Sequence, residues 1–372
     1  MANFFDTNDY LNALKRVNVR MEEASKRNAN IFGETWYTKH FTVNPVPHPT
    51  NEFKTILHQM NLPIAASTVN QHSTEPLRMK DGLASLEQSM FTYAHGYRLD
   101  IDELRELILM KHLPGQEQNA LTGIFNKVLD ITGKCVDGVH ARLDVLTMGA
   151  LSNAGKFTFT KDNDPASPFI GKTIDFGFDP KHDLEETDSS LQWTDANAAS
   201  TAIDPVVLID SICQQSPIKL TKILTDKSVV NFLLKSATMK AYLNSTLHPN
   251  MPISLEAINS FLSAHGLPTF EVVERRVRIQ KDAETYEITP WAAGKLLFVP
   301  SDKFGTIETG MTDNEMGFPS EGVTYGHYGR IETSRFRLGE KEQSSYAEIY
   351  KARLTAVPAI NGILDMWSVK VK

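Results

Sequence analysis

Phosphate chemistry is the first thing the residue types offer. Gly171-Lys172-Thr173 has the ending of a phosphate-binding P-loop. Such a loop needs another glycine five residues before the glycine–lysine pair, and it must open a helix whose backbone N–H groups cradle the phosphates. Ala166 stands where that glycine is required, and KTIDFGF alternates like a strand, so the match reads as coincidence. Asp175-Phe176-Gly177 spells the metal-binding triplet of protein kinases, but no His-Arg-Asp loop or glycine-rich loop precedes it. The 11 histidines fall in no zinc spacing. His140 reads as a histidine at the edge of a helical apolar stripe, and His327, between Gly326 and Tyr328, as a residue of a glycine-rich surface loop. There is no Gly-x-Ser-x-Gly elbow, and neither Cys135 nor Cys213 sits in a nucleophile motif. Glu185-Glu186 and the Glu340–Glu342 pair read as solvated charge. Asn244-Ser245-Thr246 is a glycosylation sequon with no role in a protein kept in a cytoplasm. Arg275, Arg276 and Arg278 form the densest basic cluster. On a strand two of the three alternate outward, towards acidic neighbours or a partner subunit. No catalytic, cofactor-binding or metal residue is assigned, and no cofactor is expected.

The totals narrow the class further. The chain has 372 residues, enough for two domains or one elaborated one. It is 41% hydrophobic and 22% charged, ordinary for a soluble globular protein. A net charge of −7 argues against a dedicated nucleic-acid binder, which carries a basic excess to neutralise phosphates. Two cysteines in apolar runs imply no disulfide framework and a reducing compartment. The start, MANFFDTNDY, lacks the basic and apolar regions of a signal peptide. No window holds 18 uninterrupted apolar residues, so no membrane-spanning helix is expected. Manufacture and use in a cytoplasm are expected.

The element that must organise the rest runs from Gln116 to Leu151. Leu121, Ile124, Val128, Ile131, Cys135, Val139, Leu143, Leu146 and Ala150 recur at steps of three or four with no proline between them, the mark of one apolar stripe on a helix. Such a helix would be roughly 54 Å long, a spine rather than one face of a compact core. Gly123, Gly133, Gly138 and Gly149 each cost about 1 kcal/mol against alanine. They predict either close approach of another backbone or a bend.

Before the spine, Asp9–Lys26 predicts a short amphipathic arm that must lie on something else. Residues 36–61, with Pro45, Pro47 and Pro49, predict an extended strap. Residues 62–99 predict a long β-hairpin with a wide polar end and too few aliphatic residues to stand alone. Asp100–Lys111 predicts a short helix, and Asn153 and Gly155 end the spine. After it, strands are expected at Lys156–Thr160 and Lys172–Phe178, then a polar connector to residue 200. From about 201 to 330 helix and strand alternate. Asp204 followed by Pro205 caps one helix, Asp226 and Ser254 cap two more, and Phe270–Gln280 with Tyr286–Thr289 predicts a hairpin. Lys295–Val299 predicts an apolar strand, and the glycine-rich stretch after it reads as loop. Strands at Arg330–Arg337, Tyr346–Leu354 and Trp367–Val371 finish the chain.

This order of parts resembles the major capsid proteins of tailed bacteriophages, the lambda-type protein E family with the Hong-Kong-97-type capsid fold. YAHGYRLDIDELREL, DSSLQWTDANA, KLTKILTDKSVVNFLLKSATMKAYLN, LEAINSFLSAHGLPTFEVV, KLLFVPSDKFGTIETG and TAVPAINGILDMWSVKV carry the likeness. The resemblance implies an α+β fold. Its parts are an N-terminal arm and strap (1–60), an extended β-hairpin loop (61–100), a peripheral domain with the spine helix (101–200, spine 116–151), an axial domain (201–330) and return strands of the peripheral domain (331–372). It implies a structural protein, not an enzyme, that self-assembles into hexamers and pentamers of an icosahedral shell in the bacterial host cytoplasm and ends in the virion. Scaffolding, portal and decoration proteins would be its partners, with weak non-specific contact to packaged double-stranded DNA and none to membrane. Relatives that cross-link through a Lys–Asn bond give no pair assignable here. An encapsulin-like bacterial compartment shell uses the same fold and stays open as an alternative, as does an α/β enzyme domain at 201–330.

Overall fold

The computed structural model describes residues 7–26, 35–50, 52–57, 84–100, 117–243, 253–281, 284–338 and 347–372. The expected helix at Asp100–Lys111 and the wide end of the hairpin lie outside the described residues.

The spine helix, Glu117–Ser152, runs 36 residues. Every described residue of its expected stripe, from Ile124 to Ala150, is buried. It packs on a sheet that includes Phe91–Asp100, Ile331–Leu338 and Ala347–Ile360, and the Cys135 thiol reaches the Tyr350 carbonyl at 3.5 Å. The opposite face is exposed at Asn126, Asp130 and Lys134 but closes over further on, where Leu143 to Met148 are buried on every side. That face is therefore open along the first half of the helix only. At its end Ala154 (φ 46°) and Gly155 (φ 69°) turn the chain away, and the Gly155 N–H donates to the Ala150 carbonyl at 2.8 Å. Gly138 and Gly149 admit side chains rather than a second backbone. A Cβ at Gly138 would strike the His95 ring, and one at Gly149 the Phe157 ring.

Among the described residues, six strands make the larger sheet. Its axis is the 14-residue strand Ala347–Ile360. One edge of that strand pairs in succession with Ile331–Leu338 and Gly305–Thr309, and the other with Phe91–Asp100 along ten residue pairs, all antiparallel. Thr324–Tyr328 extends the sheet beyond Ile331–Leu338, and Phe41–Val43 adds in parallel to Gly305–Thr309. The N-terminal helix Thr7–Lys26 lies across the spine and Thr324–Tyr328. It buries Ala13, Val17, Met21 and Ala24, which gives the amphipathic arm the surface it needs.

The second sheet has the order Asp183–Glu185, Trp367–Lys370, Lys295–Val299, Lys222–Thr225, Thr269–Val272. Helices Pro205–Gln215, Lys227–Lys235, Ala237–Leu243 and Leu255–Ala264 bury Ile209, Ile212, Phe232, Leu233, Met239 and Leu262 in the same apolar cluster as this sheet's Ile223, Phe298 and Val369. The three expected caps are present. Asp204 accepts from the Val206 and Val207 N–H groups, Asp226 from Ser228, and Ser254 from Ala257.

Several boundaries differ from the expectation. The hairpin pairs Glu52–Leu57 with Ala84–Ser89, so its outgoing arm lies in the region read as strap. Phe91–Asp100, read as hairpin, is a strand of the six-stranded sheet. Phe270–Gln280 divides into Thr269–Val272, which pairs in parallel with Lys222–Thr225, and Val277–Lys281, which pairs with Glu284–Ile288. Gly305–Thr309 and Thr324–Tyr328 are strands where glycines suggested loop. The two sheets therefore do not divide the chain at 330. These two strands join the larger sheet, while Trp367–Lys370 returns to the smaller one, burying Trp367, Val369 and Val371 there.

Candidate assembly surfaces

Three features bear on how copies of the chain could meet: a strap, a ribbon and a groove. The strap begins at Trp36 and is anchored by one buried carboxylate. Asp144, on the spine, accepts from the Trp36 and Tyr37 N–H groups at 2.9 Å each and from Arg275 Nε at 3.0 Å. Burial raises its pKa above the ordinary aspartate value against these donors. The Tyr37 hydroxyl meets His140 Nδ1 at 2.8 Å, and burial holds that imidazole down to about 4. The strap then runs beside Gly305–Thr309. His48 donates its N–H to the Thr309 carbonyl at 2.7 Å and accepts from the Met311 N–H at 2.9 Å. Gly305 has no side chain because the Phe41 ring occupies that space.

The ribbon is the pair Glu52–Leu57 and Ala84–Ser89, which belongs to neither sheet. Among the described residues it meets the body at few points. Gln88 Nε2 donates to the Asp175 carbonyl at 3.1 Å, and Phe53 lies edge-on to His48. Two strands alone are marginal in water.

The groove, of about 810 Å³, lies beside the spine between Phe91–Asp100 and Val277–Lys281. Each of these strands is paired on one side only among the described residues. Phe91, Tyr93, Arg142, Phe169, Arg276 and Arg278 are in its wall. The Tyr93 hydroxyl is buried without a hydrogen-bond partner among the described residues, and burial pushes its pKa well up. Arg142 is held by Asp164 at 3.1 Å. Arg276 and Arg278 are exposed.

The residues singled out by type are scattered. Lys172 lies over the Phe91 and Phe169 rings, and Thr173 opens a three-residue strand rather than a helix. Asp175 accepts from the Gly177 N–H at 2.8 Å in a local turn. His327 is in the strand Thr324–Tyr328 rather than a loop. Burial raises the Cys135 thiol to about 11, and Cys213 is also free and raised by burial. Glu185 pairs with Lys370 at 2.6 Å. Glu340, Glu342 and Asn244 lie outside the described residues. Of the arginine cluster, Arg276 and Arg278 face outward as expected, while Arg275 turns in to Asp144. No metal-holding group of His, Cys, Asp or Glu occurs among the described residues, and no described helix is long and apolar enough to cross a membrane.

Sequence reasoning missed Asp144 and Glu348. Glu348 is fully buried on the longest strand, bonded to Arg335 (Nε at 3.0 Å, with Nη2 also in contact) and to the Tyr350 hydroxyl at 3.2 Å, with Arg337 at 3.5 Å. For Asp144 the available signal was a charge in an otherwise apolar run, LDVLTM, whereas Glu348 in SSYAEIYKAR carried none.

A family model described as phage major capsid protein E matches residues 74–324. No protein in a search of curated sequences matches. Among solved structures, one described as a prophage capsid protein of E. coli CFT073 superposes with a TM-score of 0.56 at 12% identity, covering 95% of this chain and 99% of that one. A phage-related protein from Bordetella bronchiseptica RB50 gives 0.43 at 12% identity, covering 90% of each chain. The mature capsid of bacteriophage PhiM1 gives 0.42 at 11%, covering 92% and 88%.

Proposed function

We propose, from the premise that this chain belongs to the phage major capsid protein E family, that its strap, ribbon and groove are the parts by which copies of it join. The protein is a structural major capsid protein of a tailed phage, with the Hong-Kong-97-type fold and its place in the virion. The family favours the phage shell over a bacterial compartment. The copies form hexamers and pentamers of an icosahedral shell, assembled in the host cytoplasm. The chain performs no catalysis of its own. Scaffolding, portal and decoration proteins are its expected partners. A net charge of −7 suits a shell that encloses DNA without gripping it.

One observation carries this reading: the ribbon Glu52–Leu57/Ala84–Ser89 stands outside both sheets. Strands with no third partner gain too little burial to order themselves. A neighbouring copy supplies the missing surface, and the ribbon lies on it. Arg276 and Arg278, exposed beside a groove, offer charge to such a neighbour.

Leu57 faces Ala84 across the ribbon, so a short type I′ turn can replace residues 58–83 without disturbing the pairing below. The shortened chain should unfold at the temperature of the full chain yet sediment only as small species. Shells of normal size from the shortened chain would refute the role given to the ribbon.

A further inference from the structure

The loop between Gly305–Thr309 and Thr324–Tyr328 carries the most exposed large apolar side chain among the described residues, Phe318 at 73%. Met316, two positions earlier, is 44% exposed. Every residue from Met316 to Gly322 is exposed. A single exposed apolar residue is ordinary. This one differs in how firmly its backbone is held.

Glu315 takes the Arg330 guanidinium with both oxygens, at 2.7 and 2.9 Å, and accepts from the Thr312 N–H at 3.0 Å. The Thr312 hydroxyl donates to the buried Glu332 carboxylate at 2.6 Å. Nearer the tip, the Phe318 N–H donates to the Asp313 carbonyl at 2.9 Å and the Ser320 N–H to the Tyr325 hydroxyl at 3.0 Å. Gly317 turns the chain between them at φ 89°. The loop is braced from below, and an apolar anchor on a preorganised loop loses little entropy on binding.

A matching surface lies elsewhere on the same chain. The groove beside the spine, about 810 Å³, has the size of a binding site. Its wall is aromatic: Phe91 meets Phe169 edge-on with centroids 5.2 Å apart, and Phe169 is 39% exposed. Lys172 Nζ lies over both rings, and Arg276 and Arg278 are exposed beside them. The wall's own carboxylates are Asp164, paired with Arg142 at 3.1 Å, and Asp137. The loop has the opposite sign. Met311–Gly322 contains Asp313, Glu315 and Glu321 and no lysine or arginine. Arg330 answers Glu315, and Arg353 answers Asp313 at 3.3 Å. Glu321 is exposed and can meet the arginines of the groove.

Loop and groove face apart within one chain. Thr324–Tyr328 and Phe91–Asp100 are on opposite sides of the long strand Ala347–Ile360. The loop is tied to Glu332 and Arg353, which share a row with Ala94 and so one face of the sheet. The groove lies on the other face, that of His95, against the spine at Gly138. We propose that the Met316–Gly322 loop of one copy seats Phe318 in this groove of the next, edge over edge. Contact between two different patches is heterologous, and heterologous contacts generate rings when the rotation closes. The inference rests on the reading of the chain as a shell subunit and adds a second hold to that of the ribbon.

Phe318→Asp tests it. The side chain is exposed, so the variant subunit should unfold at the wild-type temperature. Its yield of shells at a fixed concentration should fall at least about tenfold. Shells at the wild-type yield overturn the inference and leave the role of the ribbon untouched. No shells from either protein contradict the shell reading, and this inference with it. A double variant, Glu321→Cys with Arg276→Cys, keeps Phe318 in place and locates its seat. Oxidising the assembled particles should join chains into a ladder on a denaturing gel, which neither single variant gives. Loss of shells in Phe318→Asp with no ladder from the double variant overturns the groove as the seat, the result expected if Phe318 held a different partner.

Discussion

Asp144 joins three separate parts of the chain through one carboxylate. It satisfies the first two N–H groups of the turn Trp36–His40, which have no other acceptor among the described residues, and it neutralises Arg275 from the loop before Val277–Lys281. Asp144→Ala leaves those donors buried and should cost about 2–4 kcal/mol. Thermal unfolding measures the cost, and protease should cut the strap first. A loss below about 0.5 kcal/mol with the strap still protected would show that Trp36 and Tyr37 are held by their rings alone. Nothing local announced this role. Its partners lie 107 and 108 positions earlier and 131 later, and a lone aspartate in an apolar run carries no sign of which strands will reach it.

Among the elements, the spine was the most legible, because a 3.6-residue period is local and survives any tertiary arrangement. The helix Pro205–Gln215 was equally plain from Asp204 and Pro205, whose capping chemistry depends on neighbours in sequence. Strand pairing was not. Gly305–Thr309 lies between Phe41–Val43 and Ala347–Ile360, and no window around its glycine shows that two distant strands will enclose it. The ribbon was expected as a hairpin but placed too late, since its outgoing arm looks like strap until its partner is known. The spine itself invites a direct check. Val139 is 1% exposed on the face towards the sheet, and Val139→Asp should cost several kcal/mol or prevent folding. Asn126→Asp, on the exposed face, should change stability by less than about 0.5 kcal/mol. Similar unfolding temperatures for the two variants would mean that the spine does not pack by that face.

At the scale of the molecule, two sheets are tied by chain that passes between them more than once. The strap, the connection through Asp302 and the returning strand Trp367–Lys370 all cross the junction. A boundary drawn at a single position misses this. The ribbon is left over, attached to the body and packed on little of it. The proposed role accounts for that arrangement, since a ribbon laid on an adjacent copy gives a tile a hold on its neighbour. The most direct measurement is electron microscopy of the purified full-length protein across assembly conditions, with image averaging. Closed shells of six- and five-membered rings, each ribbon lying on an adjacent copy, are the expected result. Single copies under every condition, with the ribbon protected from protease within the monomer, would contradict it.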